Sequence, residues 1–528
     1  MVLNMRKFQV ILVSSIFIGM SFVGNINAQS KSKTIESVQE IHAKAEHGVP
    51  EAQNNLANIY NVGAAKDKQQ ALEWYRKAAI QGFAKAQFNL GLMYDEGKSV
   101  PQDYKQAVEW YKKAADQGNT GGQSGLGAMY YEGKGVTKDY SKAFFWINKA
   151  AEQGDASSQF NLGQMYYQGN GVQQDYKQVL EWYHKAANQG YANAQFNLGA
   201  MYDEGKGVKK DDKQAVVWYH KAAEQGSANA QFNLGSMYEN GEGVPQDYKQ
   251  AVEWYKKAAD QGNAGGQSSL GRMYYEGNGV TKIYSKAFFW INQAAEQGDA
   301  SAQFSLGQMY YQAKGVQQDY KRALEWYRKA ANQGFAVAQF NLGEMYDEGN
   351  GVTKDDKQAV DWYRKAAEQD FANAQYNLGI MYDQGDGVTK DDKQAVEWYR
   401  KAANQGLAQG QYNLGVMYDQ GQGVKQDYKQ ALEWYRKAAE QGFAKAQFNL
   451  GVMYGQGKGI PLDYKQAVKW YRKAADQGDA GGQYNLGVMY HNGTGIMRDD
   501  MQAVLLVHRA AEQGNTEALE LLRKLGIK

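Results

Sequence analysis

AKAQFNLGLMYDEGKSVPQDYKQAVEWYKKAADQG, residues 84–118, is the stretch on which the fold turns. In its first half Ala86, Leu90, Met93 and Tyr94 recur at i, i+4, i+7 and i+8, the spacing of one face of an α-helix and not of a strand. In its second half Tyr104, Ala107, Val108, Tyr111 and Ala115 trace another apolar face of the same period. Asp103 stands where an N-cap acceptor is wanted, and Gln106, three residues on, completes the pattern of a capping box. Gly118 suits the left-handed position that follows a helix C-terminus. The link Gly97-Lys-Ser-Val100 is more often Gly-x-Gly-Val, as at Gly205-Lys-Gly-Val208, where two glycines permit a tight reversal. The stretch predicts a helix-turn-helix hairpin.

The hairpin is repeated. All twelve Trp, at 74, 110, 146, 182, 218, 254, 290, 326, 362, 398, 434 and 470, fall 36 residues apart. Thirteen such units run from about Pro50 to the C-terminus; the first is two residues shorter, and the last replaces the Trp-Tyr pair with Leu506-Val507. One hairpin cannot bury two apolar faces, so each must stack on its neighbours into an all-α, α/α superhelical solenoid. Mid-helix glycines (Gly91, Gly163, Gly199, Gly343) each cost about 1 kcal/mol relative to Ala, so their recurrence predicts a close helix contact. Trp and Tyr rings are expected to fill the remaining gaps. Residues from Gln81 also match those from Gln225, so a block of four units is duplicated.

The ends read differently. Arg6 and Lys7, the apolar run Phe8–Val23 and Ala28 have the pattern of a secretory signal, so residues 1–28 are expected to be a cleaved signal peptide. Residues 29–33 read as a flexible lead, 34–48 as an N-terminal capping helix and 49–528 as the thirteen repeats. No integral membrane anchor is expected, because the apolar run is shorter than the roughly 20 residues a spanning helix needs. The 59 Lys and Arg against 57 Asp and Glu include Arg6 and Lys7, so the processed chain is formally neutral. Neutrality argues against a nucleic-acid partner. With no Cys there is no disulfide, thiolate nucleophile or Cys-ligated zinc.

The run Ala-x-Ala-Gln-Phe-Asn-Leu-Gly-x-Met-Tyr, the Gly-x-Gly-Val turn and Ala-Val-Glu-Trp-Tyr-x-Lys-Ala-Ala closely resemble the Sel-like repeat, a relative of the tetratricopeptide repeat. The resemblance covers nearly the whole chain after residue 28. It implies a non-enzymatic scaffold or adaptor that binds a protein or peptide along the concave face of the superhelix, in the periplasm or secreted, in bacterial envelope or host-interaction processes. It names no partner. One branch of the family is cysteine-rich and associated with penicillin binding and β-lactamase activity, which gives a cell-wall hydrolase or penicillin-binding protein as the alternative; the absence of Cys departs from that branch. A non-catalytic regulator of an envelope process is a further alternative.

In tetratricopeptide-like solenoids the first helices line the groove. The candidate partner-binding residues are therefore the aromatic-amide pairs of those helices: Phe88-Asn89, Phe160-Asn161, Phe196-Asn197, Phe232-Asn233, Phe340-Asn341, Tyr376-Asn377, Tyr412-Asn413, Phe448-Asn449 and Tyr484-Asn485. Rings bury area at little entropic cost, and Asn both donates to and accepts from a peptide backbone. The alternative is that the aromatic packs between units and Asn bonds a neighbouring backbone group. Three residues beyond Asn the chemistry varies: Leu92, Ala128, Gln164, Ala200, Ser236, Arg272, Gln308, Glu344, Ile380, Val416, Val452 and Val488 occupy one register, read as exposed. His184 and His220 share a register but lack a third ligand, so no metal is expected. Glu109 and Lys113 read as a solvated i,i+4 pair, and Asp355-Asp356 and Asp391-Asp392 as helix caps. No catalytic residue and no cofactor are expected.

Overall fold

A computed structural model describes residues 37–62, 65–97 and 99–524, with the side chains of 65 and 66 excepted. The expected signal peptide and lead lie outside the described residues, as does the start of the expected capping helix. Among the described residues the chain forms 28 helices and no strand, numbered α1 to α28 in chain order. It is a solenoid of helical repeats. The contacts divide it into two compact units, Met1–Gly266 with Asn278–Val280, and Gln267–Gly277 with Thr281–Lys528. No helix among the described residues is long and apolar enough to cross a membrane.

The quoted stretch forms α4 (Ala84–Glu96) and α5 (Tyr104–Asp116), followed by α6 (Thr120–Glu132) of the next repeat. α5 packs on α4 within its hairpin and on α6 across the repeat boundary, and α4 also touches α6. Ala86, Leu90, Ala107, Tyr111, Ala114 and Ala115 are essentially inaccessible, which is the stripe that the periodicity marked out. Asp103 caps α5 by accepting from the amides of Lys105 and Gln106. The capping box does not form: the Asp103 amide donates instead to the carbonyl of Tyr94, 2.9 Å away at the end of α4. The tight reversal, with Gly97 and Ser99 both at positive φ, brings that orphan carbonyl within reach, so the hairpin closes on its own backbone. The paired acids at 355–356 and 391–392 do start helices, with Asp355 and Asp391 as the N-caps.

The second turn glycine has a further task. Gly387 lies at φ +65, and a Cβ there would collide with the carbonyl of Asp356 in the preceding repeat. Turn geometry and repeat stacking thus both require the missing side chain.

At the N-terminal end, α1 (Val38–Glu46) carries a complete capping box between Ser37 and Glu40. Its Ile41 and Ala45 pack on Leu56 of α2 (Pro50–Asn61). α2 begins with Pro50 at a position that needs no amide donor.

Candidate functional site

The residue that organises each repeat is the second-helix Tyr. Tyr111 is fully buried because α4 offers it a notch: a Cβ on Gly91 would lie 2.7 Å from its Cδ1. Gly163 and Tyr183, Gly199 and Tyr219, and Gly343 and Tyr363 repeat the arrangement. The expected close helix contact is therefore a glycine notch for a tyrosine ring. The Tyr111 hydroxyl donates to Asp95, and the same clip recurs from Tyr255 to Glu239, Tyr363 to Asp347, Tyr399 to Asp383 and Tyr435 to Asp419. Burial pushes the Tyr111, Tyr363, Tyr399 and Tyr435 phenols well above their ordinary range, and those of Tyr75 and Tyr471 to about 12. Burial also raises the Asp95 carboxyl, against the pull of the Tyr111 bond.

Of the tryptophans, expected to fill core gaps, Trp182, Trp218, Trp254, Trp326 and Trp470 do so, buried in the core clusters, while the other seven are half-buried at the core's margin. Trp110 packs on the core around Tyr75 of the preceding repeat and is only half-buried. Lys113, four residues after Glu109, lies over the Trp110 ring at 4.0 Å, so this lysine is partnered by an aromatic face. His184 and His220 each meet the next Trp, Trp218 and Trp254, edge-on at 5.5 Å. Among the described residues no cluster of His, Asp or Glu is arranged to hold a metal ion.

The candidate aromatics stack on the buried tyrosines. Phe88 lies 5.9 Å from Tyr111, Phe160 5.5 Å from Tyr183, Phe196 5.8 Å from Tyr219 and Phe232 5.8 Å from Tyr255. In the C-terminal unit Phe340, Tyr376, Tyr412 and Phe448 stack on Tyr363, Tyr399, Tyr435 and Tyr471 at 5.8 to 6.0 Å. Several also reach the ring that opens the next repeat, as Phe340 does Phe371 and Tyr412 does Phe443. Tyr484 packs on the terminal core around Val507. Phe160 is buried and the others are half-buried; Phe88, Phe232 and Phe448 also lie against Gly121, Gly265 and Gly481 on the next first helix.

The amides have a related place. Asn89 donates to Asn54 at 3.1 Å, and Asn197 to the Tyr183 hydroxyl at 3.5 Å. Asn341, Asn377, Asn413, Asn449 and Asn485 bond the phenols of Tyr327, Tyr363, Tyr399, Tyr435 and Tyr471 in the preceding repeat. Asn161 and Asn233 are half-buried in the same register.

The register that begins at Leu92 is not exposed as expected. Ala128 and Ala200 are buried and the other ten are half-buried. One turn beyond Asn, the helix face has rotated toward the next repeat. Leu92, Ile380, Val416 and Val452 accordingly pack against the cores around Tyr111, Tyr399, Tyr435 and Tyr471. Glu344 shares this position, where burial, with Glu348 and Asp347 beside it, lifts its carboxyl to about 7.

One ladder has no counterpart among the expected features. Buried Gln87 donates to the Ala79 carbonyl (3.1 Å) and accepts from Gln117 (2.7 Å). Its copies do the same along the chain, as with Gln339, Ala331 and Gln369 at 3.1 and 2.8 Å. The signal was present as a Gln recurring every 36 residues from Gln87 and a second Gln 30 residues after each, but a glutamine's usual place is at the surface.

Comparison with known proteins agrees with this geometry. A family model described as the Sel1 repeat matches thirteen stretches: residues 50–83, 84–119, 121–155, 156–191, 192–227, 228–263, 264–299, 300–335, 336–371, 372–407, 408–443, 444–479 and 480–515. The crystal structure of c5321, a protective antigen of uropathogenic Escherichia coli strains with an SLR fold, is 41% identical. That match covers 86% of this chain and 97% of the other, at a TM-score of 0.74. A Sel1 repeat protein from Oxalobacter formigenes is 36% identical over 58% of this chain and 89% of its own, with a TM-score of 0.47. No curated protein sequence matches the chain. Thirteen matched repeats on a solenoid of matching hairpins place this chain in the Sel1 repeat family.

Proposed function

We propose that this chain is an exported, non-catalytic scaffold that holds a protein or peptide along its first-helix face. Sel1 and tetratricopeptide-like solenoids are in general protein-interaction modules, which supports the coarse reading. The observation that carries the finer one is the contrast between two registers of the same helices. Ring, amide, glycine and glutamine positions hold the repeats together with near-constant chemistry, whereas the half-buried position of Leu92 and its copies runs through aliphatic, amide, hydroxyl, cationic and anionic side chains. Packing alone has no need of that variety. Export is supported by the pattern of residues 1–28.

The test is site-specific photo-cross-linking in intact cells. A cross-linker at Val416, on the first-helix face, is expected to give a discrete protein adduct. One at Glu433, on the outer side of α23 (Tyr428–Glu440), is expected to give none. Equal adducts at both positions, or none at Val416, would sink the reading. N-terminal sequencing of the exported protein should begin at Gln29.

A further inference from the structure

Glu344, Ile380, Val416, Val452 and Val488 lie one per repeat on α18 (Ala336–Glu348), α20 (Ala372–Gln384), α22 (Ala408–Gln420), α24 (Ala444–Gln456) and α26 (Ala480–Asn492), all within the C-terminal compact unit. Each is half-buried. Successive first helices meet through side chains, as where Gly481 of α26 lies against the Phe448 ring of α24. Helices that touch through side chains lie about 8–10 Å apart, so the register offers an aliphatic contact at about that interval. Three residues before each aliphatic contact, on the same helix, stands a half-buried amide, Asn377, Asn413, Asn449 or Asn485, so the strip is not continuously apolar. A lipid chain, which wants continuous apolar surface, fits this badly. A polypeptide, with a peptide group between side chains, fits it well.

The interval also selects a backbone. In a β-strand, side chains on one face repeat at roughly 6.7 Å, out of step with the helices. A polyproline II helix has three residues per turn and rises about 3.1 Å per residue, so its side chains repeat at about 9.3 Å.

The strip ends in a charge. Glu344 faces Asp347 and Glu348 on its own helix and the phenols of Tyr311, Tyr327 and Tyr363 on the elements packed against it, and among the described residues no basic side chain pairs with it. We infer that this register binds an extended, polyproline II-like segment of a partner protein, with a lysine or arginine set against Glu344 and aliphatic side chains at every third residue over Ile380, Val416, Val452 and Val488. The inference rests on the scaffold reading above and names its partner chemistry.

The experiment uses the full processed chain and synthetic peptides in both chain directions. One bears a Lys and then four Val, each separated by two-residue Pro-Ser spacers; a second has the same composition with one-residue spacers. The first is expected to bind at least about tenfold tighter in Kd by fluorescence anisotropy. Glu344→Gln should weaken it about fivefold or more at pH 8 and flatten the fall in affinity expected between pH 8 and pH 6. Val416→Ser with Val452→Ser should weaken it similarly, with circular dichroism of each variant showing an intact solenoid. Equal binding of the two spacings, or indifference to Glu344→Gln, overturns the inference. A random peptide display separates it from its premise. Selected binders that cross-link to the first-helix face but lack the three-residue pattern overturn the inference and leave the scaffold standing. If no selected peptide cross-links there, both fall.

Discussion

A glycine inside a helix ordinarily costs stability, and the usual repair is alanine. At Gly343 the repair should do harm. A Cβ would lie 2.7 Å from two ring carbons of Tyr363, a fully buried side chain with no room to retreat. The helix-propensity gain of about 1 kcal/mol is set against an overpacking cost of about 1–3 kcal/mol. We expect Gly343→Ala to lower local stability, read as faster amide hydrogen exchange in α18 and in α19 (Asp356–Ala367), whereas a repeat that unfolds no more easily would refute the notch. Gln339→Leu probes the other shared residue. It strands the Ala331 carbonyl and the Gln369 amide, at a cost of about 1–3 kcal/mol. Both sites were visible as repeated letters. Their partners were not, because Gln369 and the Ala-x-Ala-Gln 30 residues before it meet only once the hairpins stack.

At the scale of the element, the second helices are near copies whose exceptions can be repaired. Eleven of them, from α5 to α27 (Asp500–Glu512), start on an Asp that accepts from the helix's own amides; α15 (Tyr284–Glu296) starts on Ile283 and has no side-chain cap. Ile283→Asp should stabilise that hairpin by about 1 kcal/mol. Ala313 ends α16 (Ala300–Gln312) at φ +58, a left-handed position that glycine fills at the ends of α4 and α26 and of the first helices between them, so Ala313→Gly should relieve left-handed strain of about 1–2 kcal/mol. Slower amide exchange in α15 and α16 is the measurement for both, and unchanged exchange would contradict them. Helix starts and stops were legible because capping is local chemistry. The missing capping box was not, because the competing acceptor, the Tyr94 carbonyl, belongs to the other helix.

At the scale of the molecule, the same buried phenol occurs in repeat after repeat, so its titration acts in concert. A group whose pKa is raised by folding lends stability that is fully present below its unfolded value and lost as pH climbs through the folded one. For these tyrosines the loss begins near pH 10 and runs to about 12 at Tyr75 and Tyr471, with the more deeply buried phenols titrating later still. Thermal melting should therefore be insensitive to the phenols up to about pH 10 and fall steeply above it. A melting temperature level through pH 12 would mean that the phenols are less buried than described. Because each repeat leans only on its neighbours, the loss should spread along the array.

The amino-acid sequence by itself determined the hairpin, its period and its number, because helical periodicity, N-cap carboxylates and left-handed glycines act within one or two turns of chain. It also marked the registers in which a surface would have to lie. Which side chains hold the repeats together, and which are left to meet something else, was decided only by stacking. Phe88 and Asn89 read alike as groove or glue until Tyr111 and the preceding repeat's Asn54 stood beside them. Glu344 looked like one exposed acid among many until burial separated it from the rest. That division depends on distances across repeat boundaries, and no local rule of the chain contains them.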